Sequence, residues 1–293
     1  MQGWIVISAA AAYLAVLFAI ASYGDRRARG GHTRLRHPLV YPLSLSVYCT
    51  SWTFFGSVGL ASTTGYNFLA IYIGAGLMIA LGYPLLRRVV DIAKTQNITS
   101  IADFIGARYG KSQTVAAIVT VIAIIGSVPY IALQLKAVSL SLITLLTETT
   151  IGISHAGQPP VIGDIALFVA LALAAFVCLF GTRHIEATEH QNGMMLAIAV
   201  ESVIKLAAFL TVGIFVTFFM FSGVGDFYFK AMSHAGVREM MTRTPDIGLF
   251  VTINILSFAC IVLLPRQFHV TVVENNRPGE LRLARWMFPL YLV

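Results

Sequence analysis

Long apolar runs alternate with short polar connections along the chain. Runs near 3–23, 41–61, 67–90, 113–147, 161–181, 192–222 and 247–264 approach or exceed the roughly 20 apolar residues that a helix needs to cross a bilayer. An eighth begins near 283 and stops at Val293, so the sequence reads as the N-terminal fragment of a longer protein. The pattern predicts an all-α integral membrane protein of about seven and a half spans.

Composition agrees with the pattern. Hydrophobic residues make up 57% of the chain and charged residues 11%, against about a quarter charged in soluble domains. Little sequence remains for a soluble catalytic domain. The first run lacks a basic leader and is followed by Arg26, Arg27, Arg29, Arg34 and Arg36, so it reads as a retained helix with its N-terminus outside. That orientation puts 15 of the 20 Lys and Arg residues on the cytoplasmic side. Lys230, Arg238 and Arg243 fall outside, and Lys136 and Lys205 fall within spans. The net charge of +7 is then mostly a topology signal of a multi-pass membrane protein. Lipid is an expected partner and nucleic acid is not.

Two connections read as interfacial helices. "TSIADFIGARYGKS" offers Thr99 or Ser100 as a cap and puts Ile101, Phe104, Ile105 and Tyr109 on one face. The outer segment 223–246 mixes aromatic and Met residues with charges, which suits a helix along the headgroups or a packed surface loop. Cys49, Cys178 and Cys260 lie in separate runs without CxxC spacing, which argues against disulfides or zinc. The Asn97-Ile98-Thr99 sequon falls on the cytoplasmic side and is discounted.

The stretch "SLSVYCTSWTFFGSVG", Ser44 to Gly59, is unusually polar for a span. Small and hydroxyl residues there let helices approach closely and bond to their own backbone. The same residues also suit a broken helix whose freed carbonyls and hydroxyls meet a cation or solute near the midplane.

"SVYCTSWTFFGSVG" resembles the first core helix of the sodium:solute symporter family. "TSIADFIGARYG", "SVPYIALQLKA" and "LLPRQFHV" resemble later motifs of the same family in order. The resemblance implies a LeuT-like inverted-repeat helical bundle, truncated in this sequence. Residues 1–40 would be an extra helix and basic loop, 41–222 the first five-helix repeat, 223–246 an outer segment and 247–293 the start of the second repeat. It further implies a sodium ion held partly by the backbone carbonyls of Ser46 and Cys49, with the other ligands beyond Val293. Ser51, Trp52 and Thr53 are the implied solute contacts beside the break, and Asn254 and Ser257 those on the matching broken helix of the second repeat.

"FGTRHIEATEHQNGMMLAIAVESVIKLAAF" and "LPRQFHVTVVENN" resemble most closely the branch in which such a membrane domain is joined to a sensor histidine kinase. That implies an input domain for a small solute, an amino acid, with a kinase domain in the same longer chain. The alternative is a stand-alone sodium-coupled symporter. A partner-binding membrane subunit is a third reading. No phosphorylatable dimerisation helix, ATP-binding domain or catalytic arrangement stands out in the sequence itself.

Glu201 and Lys205 lie within one span four residues apart, so they share a helix face and can neutralise each other. Charges at that depth tend to be functional, and a pair that separates when a neighbour moves would be a switch. Lys136, with Gln134, reads as a snorkelling residue, and Gly126 and Pro129 as a kink. His184 and His190 in "GTRHIEATEH" lack the spacing of a helical zinc pair.

Overall fold

The computed structural model describes residues 3–29, 38–147, 165–176, 192–242 and 246–292. All regular structure among them is helical. The "GTRHIEATEH" connection, Cys178 and the ends of the expected 161–181 span lie outside the described residues.

The long helices follow the apolar runs. Helix α1 (Gly3–Arg29) packs on α9 (Asn192–Phe215), which continues through a π turn, Val216–Met220. At the crossing, a Cβ on Gly193 would collide with the Ala21 carbonyl and the Asp25 carboxylate. The Gly193 N–H instead donates to Asp25 Oδ1 at 2.9 Å. Helix α7 (Gln113–Thr147) continues through Pro129 for 35 residues, and α8 (Ile165–Phe176) packs on it. Among the described residues four stretches, Trp4–Arg27, Thr53–Ala80, Gln113–Leu145 and Gly193–Met220, are long and apolar enough to cross a membrane. Ile122, Ile125, Phe209 and Phe219 on two of them are exposed, as befits a lipid-facing surface.

The remaining runs are interrupted. The expected 41–61 span is α2 (Val40–Ser44), a 3-10 turn over Leu45–Tyr48, and then α3 (Ser51–Thr64). The chain reverses at Gly65, whose φ of 61° is open to glycine at little cost. Ser57 hydrogen-bonds Tyr72, so α3 lies beside α4 (Leu69–Ala80), and Thr53–Ala80 is a hairpin rather than one straight crossing. The expected 67–90 span divides at Leu81–Gly82 into α4 and α5 (Tyr83–Thr95), with Pro84 in the first turn of α5. Helix α6 (Ile101–Arg108) is the expected short helix, capped by Ser100, whose side chain accepts from the Asp103 N–H. The outer segment forms two exposed helices, α10 (Val224–Ser233) and α11 (Ala235–Thr242).

Helix α12 (Ile247–Leu263) is 17 residues, the short end of what a span requires. It stops at Leu264, which is extended at φ −72° and ψ 127° because Pro265 excludes the helical region for the residue before it. One turn, α13 (Pro265–Phe268), a π turn over His269–Val273 and α14 (Pro278–Leu292) follow.

The core sits where these broken elements meet, at the end of the bundle that carries Arg87, Arg88 and Lys94. Leu45, Met78, Ile79, Leu86, Ile261, Phe268, Leu281 and Phe288 are buried there together. Polar contacts fasten the same end: Tyr41 OH donates to the Thr271 carbonyl at 2.6 Å, and Lys94 Nζ to Asn275 Oδ1 at 2.8 Å. Gln267 Nε2 reaches the Leu45 carbonyl at 3.4 Å, and Arg285 Nε the Ala80 carbonyl at 2.8 Å. Helices in lipid gain little from apolar burial alone, so close packing and such interhelical bonds hold this end shut.

Candidate functional site

The interruption between the 3-10 turn and α3 falls at Cys49 and Thr50, both extended (ψ 96° and 176°). Thr50 caps α3: its hydroxyl accepts from the Thr53 N–H, while Thr53 Oγ1 accepts from the Thr50 N–H at 3.1 Å. This reciprocal box lets a helix begin inside the bundle without orphaned donors. The Thr53 hydroxyl also donates to the Tyr48 carbonyl at 3.2 Å, so it is taken up by the cap.

Other side chains converge on the break from distant parts of the chain. Ser51 Oγ donates to Gln134 Oε1 at 2.9 Å. Tyr130 OH donates to Thr50 Oγ1 at 3.3 Å and accepts from Arg266 Nη2 at 2.9 Å. The Arg266 guanidinium lies 5.1 Å from the centre of the Tyr130 ring, a cation–π distance. Lys205 Nζ donates to the Cys49 carbonyl at 3.3 Å and pairs with Glu201 Oε1 at 2.7 Å. Cys49, Thr50, Ser51, Thr53, Tyr130 and Arg266 are all half-buried.

The carbonyls expected at a sodium site are both engaged. That of Ser46 accepts from the Cys49 N–H at 2.8 Å, and Cys49's accepts from the Lys205 ammonium. An ammonium thus already provides positive charge at one of the two carbonyls.

Cys49 and Ser51 thus lie at the break, and Glu201 and Lys205 face each other. The Trp52 side chain is outside what the structure describes. Asn254 and Ser257 stand away from the second interruption, which falls at Leu264, in a close crossing of α12 with α4. A Cβ on Gly74 would collide with the Asn254 carbonyl and come within 2.8 Å of Ser257 Cβ. Ser257 is buried in that crossing. Asn254 Nδ2 bonds its own helix at Phe250 O, 2.9 Å, and its Oδ1 has no partner among the described residues. An open hollow of about 260 Å³ between Tyr66, Asn67, Ile247 and Phe250 lies at the opposite end of α4 and α12 from the breaks.

Sequence reasoning missed Thr50, Tyr130 and Arg266. The box spacing from Thr50 to Thr53 was a readable signal for the first. The proline after Leu264 was the signal that Arg266 sits on an interrupted helix. Arg266 counts with the basic connections in sequence, yet its partner Tyr130 is halfway along α7, 17 residues from either end.

No protein-family model matches the chain, and no solved structure matches it. Among curated proteins it is similar to an uncharacterised symporter, YhjB, of Bacillus subtilis (strain 168), 22% identical over 254 residues. The match covers 86% of this chain and 47% of YhjB, so the chain spans about half the length of that relative. Together with the apolar helices, the likeness supports a symporter-like, multi-pass membrane protein.

Proposed function

We propose that the chain is the solute-binding part of a sodium:solute symporter-type protein with a LeuT-like bundle, and that its solute, an amino acid, binds at the break between Cys49 and Ser51. The observation that carries this reading is the meeting of two interrupted helices: Arg266, just past the interruption at Leu264, reaches through Tyr130 to Thr50 at the other. Interrupted helices that meet within a bundle are a recurrent way to bind solutes and ions in transporters. The fastened end at Tyr41, Lys94, Gln267 and Arg285 suits a state closed toward the cytoplasm, in a bacterial inner membrane with the N-terminus outside.

The resemblance of the 180–209 and 264–276 stretches to sensor kinases supports a role as the sensory input of a histidine kinase in the longer chain. In that role solute binding biases a signalling output by its different affinity for two states. A stand-alone carrier is the second reading, favoured by the description of YhjB as a symporter. Sodium is the coupling ion that the resemblance implies, and the Lys205 ammonium at the Cys49 carbonyl argues for a weak dependence on it.

The test uses the full natural protein in proteoliposomes. Binding and uptake of a ¹⁴C-labelled amino-acid mixture are measured with sodium, potassium or choline outside, and phosphate transfer from ATP is followed in parallel. Saturable binding supports the reading. Uptake without any phosphorylation favours the carrier, and solute-dependent phosphorylation favours the sensor. Absence of binding to every amino acid in the mixture refutes the assigned solute.

A further inference from the structure

Arg266 holds a positive charge deep in the bundle. Tyr130, which holds its guanidinium, is about 25 Å along α7 from either end at 1.5 Å per residue. The other charges at the break, Lys205 and Glu201, neutralise each other at 2.7 Å. Arg266 makes no ion pair among the described residues, and its hydrogen bond there, from Nη2 to Tyr130 OH, uses one of five guanidinium N–H donors. The break therefore carries a net charge of one positive unit among its described side chains. Ionisable groups at such depth pair with one another, with carbonyls, or with what passes through the protein.

We infer that Arg266 anchors a carboxylate of the solute at the helix break. The inference rests on the reading that a solute binds there, and it names the chemical group that is held. Stacking against the Tyr130 ring and the bond to its hydroxyl fix the guanidinium plane, leaving the remaining N–H edge for the two oxygens of one carboxylate. The hydroxyls of Thr50 and Ser51, in the cap and first turn of α3, border the same place. The positive end of α3 adds a favourable partial charge for an anionic group. A sugar or a polyamine brings no negative charge and leaves the guanidinium uncompensated. Lysine at 266 keeps the charge but lacks the planar fork, so it replaces arginine incompletely.

The experiment measures binding of a ¹⁴C-labelled amino-acid mixture to the full natural protein in lipid nanodiscs, with each free amino acid and its carboxamide as paired competitors. In wild type the carboxamides compete at least about 30-fold more weakly than the acids, the effect of removing one partner of a buried charged hydrogen bond. Arg266→Met loses affinity by a similar factor, Arg266→Lys recovers part of it, and Tyr130→Phe loses about 10-fold through its hydrogen bond with the charged guanidinium. Carboxamides that compete as well as the acids overturn the inference, and this comparison needs no variant to fold. So does an Arg266→Met protein, monodisperse on gel filtration, that binds the mixture as wild type does. Labelled glucose and putrescine are run alongside. Binding of either in place of amino acids removes the carboxylate anchor while leaving a solute-binding membrane protein, and binding of none of the three removes both.

Discussion

Replacing Lys205 by Met probes the charges at the break through a non-additive effect. The ammonium makes two contacts, 2.7 Å to Glu201 Oε1 within α9 and 3.3 Å to the Cys49 carbonyl across helices. Loss of the interhelical bond costs about 0.6 to 1.7 kcal/mol, the range for polar contacts between membrane helices. The larger effect is on Glu201, left as a carboxylate within a span with no cation beside it. A lone acidic group at that depth costs about 3 kcal/mol. The Lys205 and Glu201 side chains are 41% and 31% exposed, so relaxation lowers the penalty, and Lys205→Met is expected to destabilise by about 2 to 3 kcal/mol in total. In Lys205→Met with Glu201→Gln neither charge remains, and the cost falls to about 1 kcal/mol for the interhelical bond. The double variant is therefore more stable than the Lys205 single variant, a compensation that a double-mutant cycle isolates. Unfolding of the purified protein by SDS in bicelles measures the four stabilities. A double variant as unstable as Lys205→Met, or worse, refutes the reasoning and makes the pair incidental to the fold. If the pair is a switch, the double variant also changes solute binding although its stability is nearly restored.

Two further outcomes follow from particular contacts. Gly74→Ala, which drives a methyl into the Asn254 carbonyl, lowers thermal stability in detergent by about 1 to 3 kcal/mol. Gly59→Ala, with no atom within 4 Å of the added methyl, is neutral or stabilising, and equal behaviour of the two removes the close α4–α12 crossing. At the outer segment, the Asp226 carboxylate accepts from Lys230 Nζ at 2.8 Å and from the Ser222 N–H at 3.1 Å, and these bonds hold its pKa below the ordinary 3.8. A lowered folded pKa contributes stability above the unfolded value, lost as pH falls through the folded one. Amide exchange over 222–230, corrected for intrinsic rates, is therefore faster at pH 2 than at pH 6, and Asp226→Asn abolishes the difference. A wild type with equal protection at both pH values contradicts the assignment.

What the sequence reveals here depends on how far apart the interacting residues are. Apolar runs of about 20 residues place α1, α7 and α9 because the bilayer imposes a length that needs no partner to be read. Ser100 and the Glu201–Lys205 pair are equally local: a cap and an i,i+4 contact are fixed by helix geometry within one turn. The break at Cys49 is half legible, since hydroxyls and glycines announce either an interruption or close packing, and only backbone angles decide between them. The Thr53 hydroxyl shows the consequence, because a side chain that looks available for a solute is occupied by the helix cap. The charges that give the site its sign lie beyond this horizon. Lys205 reaches Cys49 across 156 residues and Arg266 reaches Tyr130 across 136, and no periodicity encodes either contact. Charge counting groups Arg266 with the basic connections, and the extended residue before Pro265 turns the chain so that its guanidinium meets the middle of α7. A proline at the end of an apolar run therefore does more than stop a helix. It can carry the next charge back toward the middle of a neighbouring helix, as it does with Arg266 and Tyr130.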